Sequence, residues 1–222
     1  MLARIMRWRS VHLLVSLLAL VLFHPLASAI PEPWDGRIMN VLTTAVMLAA
    51  VWWASDTRQH RLVAVMLVSP ATLAQWFRDE IHAWAALAGF AFYFYVIAML
   101  CRTVMRRSTA QMDRVFTAIS VYLLITVTFS YLHLAIHELD PNAYAFSTPP
   151  AVDAITDMLY FSFVTILSLG YGDIVPVDPF ARMLTVIEAF VGAFFVAILI
   201  ARLISLDPDA GQGEAGPPSS DA

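Results

Sequence analysis

The chain has 222 residues, of which 60% are hydrophobic and 14% charged, with a formal net charge of −4. Soluble domains average about 45–50% and about 25%, so a water-soluble globule is excluded as the main architecture. All 13 basic residues are arginine and Cys101 is the lone cysteine. That excludes Schiff-base and P-loop lysines, disulfide frameworks and multi-cysteine metal sites together.

A hydrocarbon core about 30 Å thick takes roughly 20 apolar residues per crossing. In chain order, apolar runs occupy 11–30, 38–54, 62–77, 82–101, 115–136 and 180–204, and a shorter, more amphipathic run occupies 155–167. Backbone polar groups in lipid must be bonded within their own segment, so the long runs are predicted helices. The short run can stay at membrane depth only with protein around it, which predicts a re-entrant helix. The expected fold class is an all-α membrane protein with six transmembrane helices and a re-entrant helix between helices 5 and 6. The first run is long enough to span. It also has the layout of a secretory signal peptide, with Arg4, Arg7 and Arg9 ahead of it and Ala27-Ser28-Ala29 at a cleavage position. Cleavage near residue 29 would leave the orientation of everything downstream unchanged.

Orientation follows from arginine placement in short loops. Arg4, Arg7, Arg9, Arg58, Arg61, Arg102, Arg106, Arg107, Arg114 and Arg202 fall on one side, which is therefore cytoplasmic together with both termini. The other side holds Arg37, Arg78 and Arg182 but carries Glu32, Asp35, Asp79, Glu80, Glu138, Asp140, Asp153, Asp157, Asp173 and Asp178. Such an acidic outer face concentrates cations; positive-inside sorting alone produces the same distribution. Residues 207–222 are polar, acidic and rich in Gly, Pro and Ser, a composition that cannot bury enough apolar area to fold, and are predicted to be disordered.

Between the short run and the last span lies Thr165-Ile166-Leu167-Ser168-Leu169-Gly170-Tyr171-Gly172-Asp173. Successive carbonyls can point to one side only if the backbone alternates in handedness, and Gly170 and Gly172 adopt the left-handed conformation at little steric cost. Leu169 and Tyr171 would then turn their side chains the other way. Ser168 to Asp173 resembles the selectivity filter of the prokaryotic potassium-channel family, usually T-V-G-Y-G-D, in which carbonyl rings replace the hydration shell of the ion. Ser168 stands for the usual threonine and keeps its hydroxyl; Leu169 stands for valine and stays apolar. The resemblance covers about residues 115–205, as outer helix, pore helix, filter and inner helix.

By that resemblance Ser168, Leu169, Gly170, Tyr171 and Gly172 coordinate K⁺. Tyr160 corresponds to the aromatic that bonds the filter aspartate, here Asp173, and Phe161 to the one that supports Tyr171, without a donor of its own. Val164 stands where some bacterial relatives carry a glutamate, so no carboxylate pair with Asp173 is expected. Pore-facing positions of the inner helix fall at Ala193, Val196, Ile200 and Ile204, three to four apart as one helical face requires. Bulky Ile200 and Ile204 are suited to close the cytoplasmic end by dewetting. The same stripe would also serve to pack against a neighbouring helix. Gly192 reads either as a bending point or as a close-packing residue.

Three ionisable residues within the spans call for an account. Glu188 lies on the face of Gly192 and is expected to point behind the filter toward amides or hydroxyls of the outer or pore helix, as a clamp in preference to an ion site. His133 and His137 share a face near the outer end of the fifth span. Interfacial packing is their main expectation, with proton sensing and an incomplete zinc site as alternatives. No arginine lies within 82–101. The membrane field therefore lacks the several charges per subunit, at about 2.3 kcal/mol per charge per 100 mV, that strong voltage gating uses.

The expected organisation is a four-helix N-terminal transmembrane region at 1–114 that does not sense voltage, a pore domain at 115–206 and a cytoplasmic tail at 207–222. One filter segment is a quarter of a ring, so the expected assembly is a homotetramer in the lipid bilayer of the cell inner membrane. It conducts K⁺ passively, with no cofactor, no resident metal, no nucleic-acid partner and no enzyme activity. The alternatives are a weakly selective cation channel and a non-conducting regulatory membrane subunit. The gating stimulus is not encoded in any recognisable sensor domain.

Overall fold

The computed structural model describes residues 11–19, 41, 44–49, 63, 65–66, 69, 83–106, 111–147 and 154–204. Its elements are helix α1 (Ala83–Arg106), helix α2 (Gln111–Leu139), strand β1 (Tyr144–Phe146), helix α3 (Ala154–Ile166), strand β2 (Ile174–Pro176) and helix α4 (Pro179–Ile204). Among the described residues three helices are long and apolar enough to cross a membrane, at Ala83–Arg102, Arg114–Leu139 and Pro179–Arg202. The chain is thus a mostly helical, multi-pass membrane protein. The expected spans at 11–30, 38–54 and 62–77 fall largely outside the described residues, as do cleavage near residue 29 and the tail at 207–222. With 13 residues, α3 is about 20 Å long, well short of a crossing.

Local chemistry sets the helix ends. The helix α2 runs past its apolar stretch and stops before Asp140-Pro141, because proline disfavours the helical conformation of the residue ahead of it. Asp140 then closes a turn: its Oδ1 accepts from the Asn142 amide at 2.9 Å and its carbonyl from the Ala143 amide at 2.9 Å. Asp178 caps α4, accepting from the amides of Phe180 at 2.8 Å and Ala181 at 3.1 Å, and Pro179 occupies the first helical position. Hydroxyls inside the apolar α2 are satisfied within the helix. Ser120 donates to the Phe116 carbonyl at 2.9 Å and Thr128 to that of Leu124 at 2.6 Å.

The helix α1 lies on α2, where Tyr131 packs directly over Gly89; a Cβ at Gly89 would collide with the ring. Phe92, Tyr93, Leu100, Leu124, Leu134 and Met158 form the buried centre, joined by Leu13, Leu17, Val46 and Met47 from the helical residues near the N-terminus. The helix α4 is different. Only 11% of its apolar span is buried, against 44% for α1 and 50% for α2.

The ribbon of β1 and β2 was not legible in the sequence. The strands are antiparallel, with Tyr144 opposite Pro176, Ala145 opposite Val175 and Phe146 opposite Ile174. Hydrogen bonds from Val177 N to Ala143 O (2.8 Å) and from Ser147 N to Asp173 O (2.8 Å) extend the pairing at both ends. The segment following α2 is thereby fastened to the segment following the 168–172 loop.

Candidate functional site

The loop from Leu167 to Asp173 follows directly from the C-terminus of α3. Its φ angles are 58° at Ser168, 57° at Gly170 and 78° at Gly172, so handedness alternates at every second residue. The two glycines were expected there. Ser168 was not, since a residue with a Cβ carries a cost of about 1–2 kcal/mol in the left-handed region. Its backbone is held by the end of α3: Ser168 N donates to Thr165 O at 2.9 Å, while Leu169 N at 2.9 Å and Gly170 N at 3.4 Å converge on Val164 O. Inner-end amides are thus engaged by α3. Among the described residues, no carbonyl of 168–172 accepts a hydrogen bond. The loop therefore presents a run of unbonded carbonyl oxygens suited to a cation.

Both ends of the loop are braced. Tyr160 on α3 donates to Asp173 Oδ2 at 2.7 Å. That bond, more than burial, pushes the Tyr160 hydroxyl up to about 12, so it remains a donor at neutral pH. Asp173 Oδ1 accepts from the Ile174 amide at 3.1 Å, and the Asp173 carbonyl accepts from the Ser147 amide and from its hydroxyl at 3.1 Å. Behind the inner end, Val164 is buried and Tyr122 on α2 donates to Ile166 O at 3.0 Å. Leu169 and Tyr171 stand 50% and 67% exposed on the single chain.

Glu188 was expected behind the loop, against amides or hydroxyls of the outer or pore helix; its partner on α2 is an imidazole instead. The Phe161 ring is buried edge-on against His133 (5.0 Å, 88°) and Tyr144 (5.6 Å, 69°); the expectation had set it against Tyr171. Glu188 is completely buried and turned behind the loop, and its Oε2 meets His133 Nε2 at 3.0 Å. His133 Nδ1 lies 2.7 Å from the Tyr144 hydroxyl. A neutral imidazole satisfies both contacts when the Tyr144 hydroxyl donates to Nδ1 and Nε2–H donates to the carboxylate. Burial, reinforced by the carboxylates of Glu188 and Asp178, raises Tyr144 well above the ordinary tyrosine range and keeps it protonated. His137 packs edge-on to Tyr144 and Phe146. Among the described residues no group of three or more His, Cys, Asp or Glu side chains is placed to hold a metal.

On α4, Gly192 is buried against the end of α3. A Cβ there would collide with Ile166 Cγ1 and stand 3.2 Å from the Ile166 carbonyl oxygen, which makes it a close-packing residue in this structure. Ala193, Val196 and Ile200 are exposed on the chain, as are Phe190 and Phe194, whose rings pack at 4.3 Å. Ile204 ends the helix, and its side chain lies outside the described residues.

Two apolar crossing helices, a short helix between them and a loop of alternating handedness with open carbonyls form an arrangement suited to the pore segment of an ion channel. Residues 117–206 match the family model Ion_trans_2, described as ion channel. Over 90 residues the chain is 34% identical to two pore potassium channel c of Oryza sativa subsp. japonica, covering 40% of this chain and 18% of that protein. Over 87 residues it is 32% identical to two-pore potassium channel 5 of Arabidopsis thaliana, covering 39% and 20%. Protein LctB of Bacillus caldotenax is 29% identical over 100 residues, covering 42% and 72%. The chain thus spans less than a quarter of the two plant relatives. No solved structure gives a significant match. Residues 117–206 are thus similar to an ion-channel family model and to segments of potassium channels.

Proposed function

We propose that the protein is a K⁺-selective channel that conducts passively as a homotetramer in the cell inner membrane. The observation that carries this reading is the alternation of φ at 168, 170 and 172 with no carbonyl of that stretch accepting a hydrogen bond among the described residues. Four such segments around an axis give stacked oxygen rings that replace the hydration shell of K⁺. A tetramer also accounts for the exposed surface. Leu169, Tyr171 and nearly all of α4 are uncovered on one chain, and further copies would bury them. In that arrangement Ala193, Val196, Ile200 and Ile204 line an apolar vestibule below the filter, and Gly192 fixes the inner helix against the pore helix. Residues 1–114 add four crossings ahead of the pore domain at 115–206, with both termini cytoplasmic. With no arginine in α1 before Arg102, conduction depends weakly on voltage.

The test is current from purified protein in planar bilayers under K⁺ and Na⁺ gradients. A reversal potential that follows the K⁺ gradient is expected. One that follows both ions equally supports a weakly selective channel instead, and absence of current supports a non-conducting subunit.

Tyr160→Phe removes only the hydroxyl that braces Asp173. A hydrogen bond to a charged acceptor is worth about 1.5–3 kcal/mol, so the outer mouth loses a substantial restraint. K⁺ current at low external K⁺ is expected to decay several-fold faster than in the wild type, with selectivity kept. Unchanged decay would remove Tyr160 as a support of the filter.

A further inference from the structure

The buried group of His133, Glu188 and Tyr144 is not explained by conduction itself. Each residue comes from a different element: His133 from α2, Glu188 from α4 and Tyr144 from β1. Burying an ionisable pair in an apolar protein is costly, and well-packed apolar side chains of similar volume commonly serve stability as well or better. Packing alone is therefore a weak reason for a carboxylate and an imidazole at this depth. What the pair supplies is direction. Glu188 Oε2 meets Nε2 at 3.0 Å, Nδ1 meets the Tyr144 hydroxyl at 2.7 Å, and Tyr144 stands opposite Pro176 in the ribbon. Three residues further along the chain from Tyr144, Ser147 holds the Asp173 carbonyl through its amide and its hydroxyl.

Two side-chain contacts from Glu188 to Tyr144, three residues of strand backbone and the bonds of Ser147 to the Asp173 carbonyl therefore connect the middle of α4 to the outer end of the 168–173 loop. We propose that His133 is a positioning residue of the filter, bridging Glu188 on the inner helix to Tyr144 on the outer ribbon so that displacement of α4 alters how long the filter conducts. The proposal rests on the K⁺-channel reading above. Two features suit the group to a movable tie. So little of α4 is buried that Glu188 is one of few points at which it is held to the rest of the chain. In addition, Glu188 Oε1 and the Ser162 hydroxyl are both buried and short of good hydrogen-bond geometry, while Ser162 on α3 stands close enough to the Glu188 carboxylate to interact with it. A small shift of α4 can therefore exchange His133 for Ser162.

The experiment measures decay of K⁺ current at low external K⁺ in the assembled full-length channel, for the wild type, Tyr144→Phe, Glu188→Gln, Glu188→Ala and the double variant Tyr144→Phe/Glu188→Ala. Tyr144→Phe keeps the ring contacts with His133 and Phe161 and removes one bond of the bridge. Tyr144→Phe and Glu188→Ala are each expected to speed decay about tenfold. Glu188→Gln retains an oxygen acceptor for Nε2–H and should decay within about twofold of the wild type. Because either cut opens the same tie, the double variant should decay no faster than the faster single one. Wild-type decay in Tyr144→Phe overturns the proposal, and so do single effects that multiply in the double variant. Should Glu188→Ala fail to assemble, Tyr144→Phe alone decides. Absence of K⁺ current from the wild type overturns the channel reading and this proposal with it, whereas a conducting wild type with indifferent variants overturns the proposal alone.

Discussion

Gly170→Ala and Gly172→Ala are each expected to abolish K⁺ flux while leaving membrane insertion and helix content intact. At φ of 57° and 78° both residues occupy the left-handed region, where a side chain costs about 1–2 kcal/mol per residue. Fourfold repetition in the proposed tetramer raises this to about 4–8 kcal/mol per channel, comparable with the whole net stability of many folded domains. Space does not set the penalty, because a Cβ at either position meets nothing within 4 Å on the chain. Relief comes by rotation to negative φ, which turns a carbonyl away from the side it shares with its neighbours. Conduction then fails although the surrounding helices are undisturbed. Flux into liposomes, beside chromatography of the assembled protein, checks this; normal K⁺ flux in either assembled variant would remove 168–172 as the conduction path.

Gly192→Ala is expected to destabilise the assembled protein by about 1–3 kcal/mol per chain, the usual cost of overpacking a tight contact. The added methyl collides with Ile166 Cγ1, close to the backbone of α3, and it also crowds the Ile166 carbonyl at 3.2 Å. That carbonyl is the acceptor for Tyr122 at 3.0 Å and lies immediately before the 167–173 loop, so the displacement reaches the base of that loop. Combining Gly192→Ala with Ile166→Ala removes the colliding side-chain atoms and should restore most of the thermal stability and K⁺ flux. Thermal unfolding followed by tetramer loss, with flux measured in parallel, reads both effects. If Gly192 acted as a bending point instead, the single variant would change channel opening with little change in unfolding temperature, and trimming Ile166 would not rescue it.

Much of this protein was determined by the sequence alone, because its physics is local. Apolar runs of fixed length dictate helices in lipid whatever their partners, so the three long apolar helices among the described residues could be placed within a few residues: the helix observed at Gln111–Leu139 was expected over 115–136. A glycine tolerates positive φ by itself, so the alternation at Gly170 and Gly172 could be read from two letters. The bond from Tyr160 to Asp173 joins residues only 13 apart in one loop-linked unit, and the family pattern of the motif was enough to anticipate it.

Tertiary structure decided whatever depends on residues distant in the chain. His133 and Glu188 are 55 apart, and neither periodicity nor charge reveals that a histidine on one span meets a carboxylate on another. Phe161 packs against His133 and Tyr144 beside that pair, and the ribbon of β1 and β2 borders the 168–173 loop. The three-residue strands carry too short a pattern to predict, since their stability comes from each other and from the Asp173 and Ala143 carbonyls, not from propensity. Ser168 adopts positive φ because the end of α3 binds the amides around it, a force no single-residue preference contains. The close approach of Gly192 to Ile166 is likewise visible only in the tertiary structure. Close packing is a property of two surfaces, and one sequence position describes only one of them.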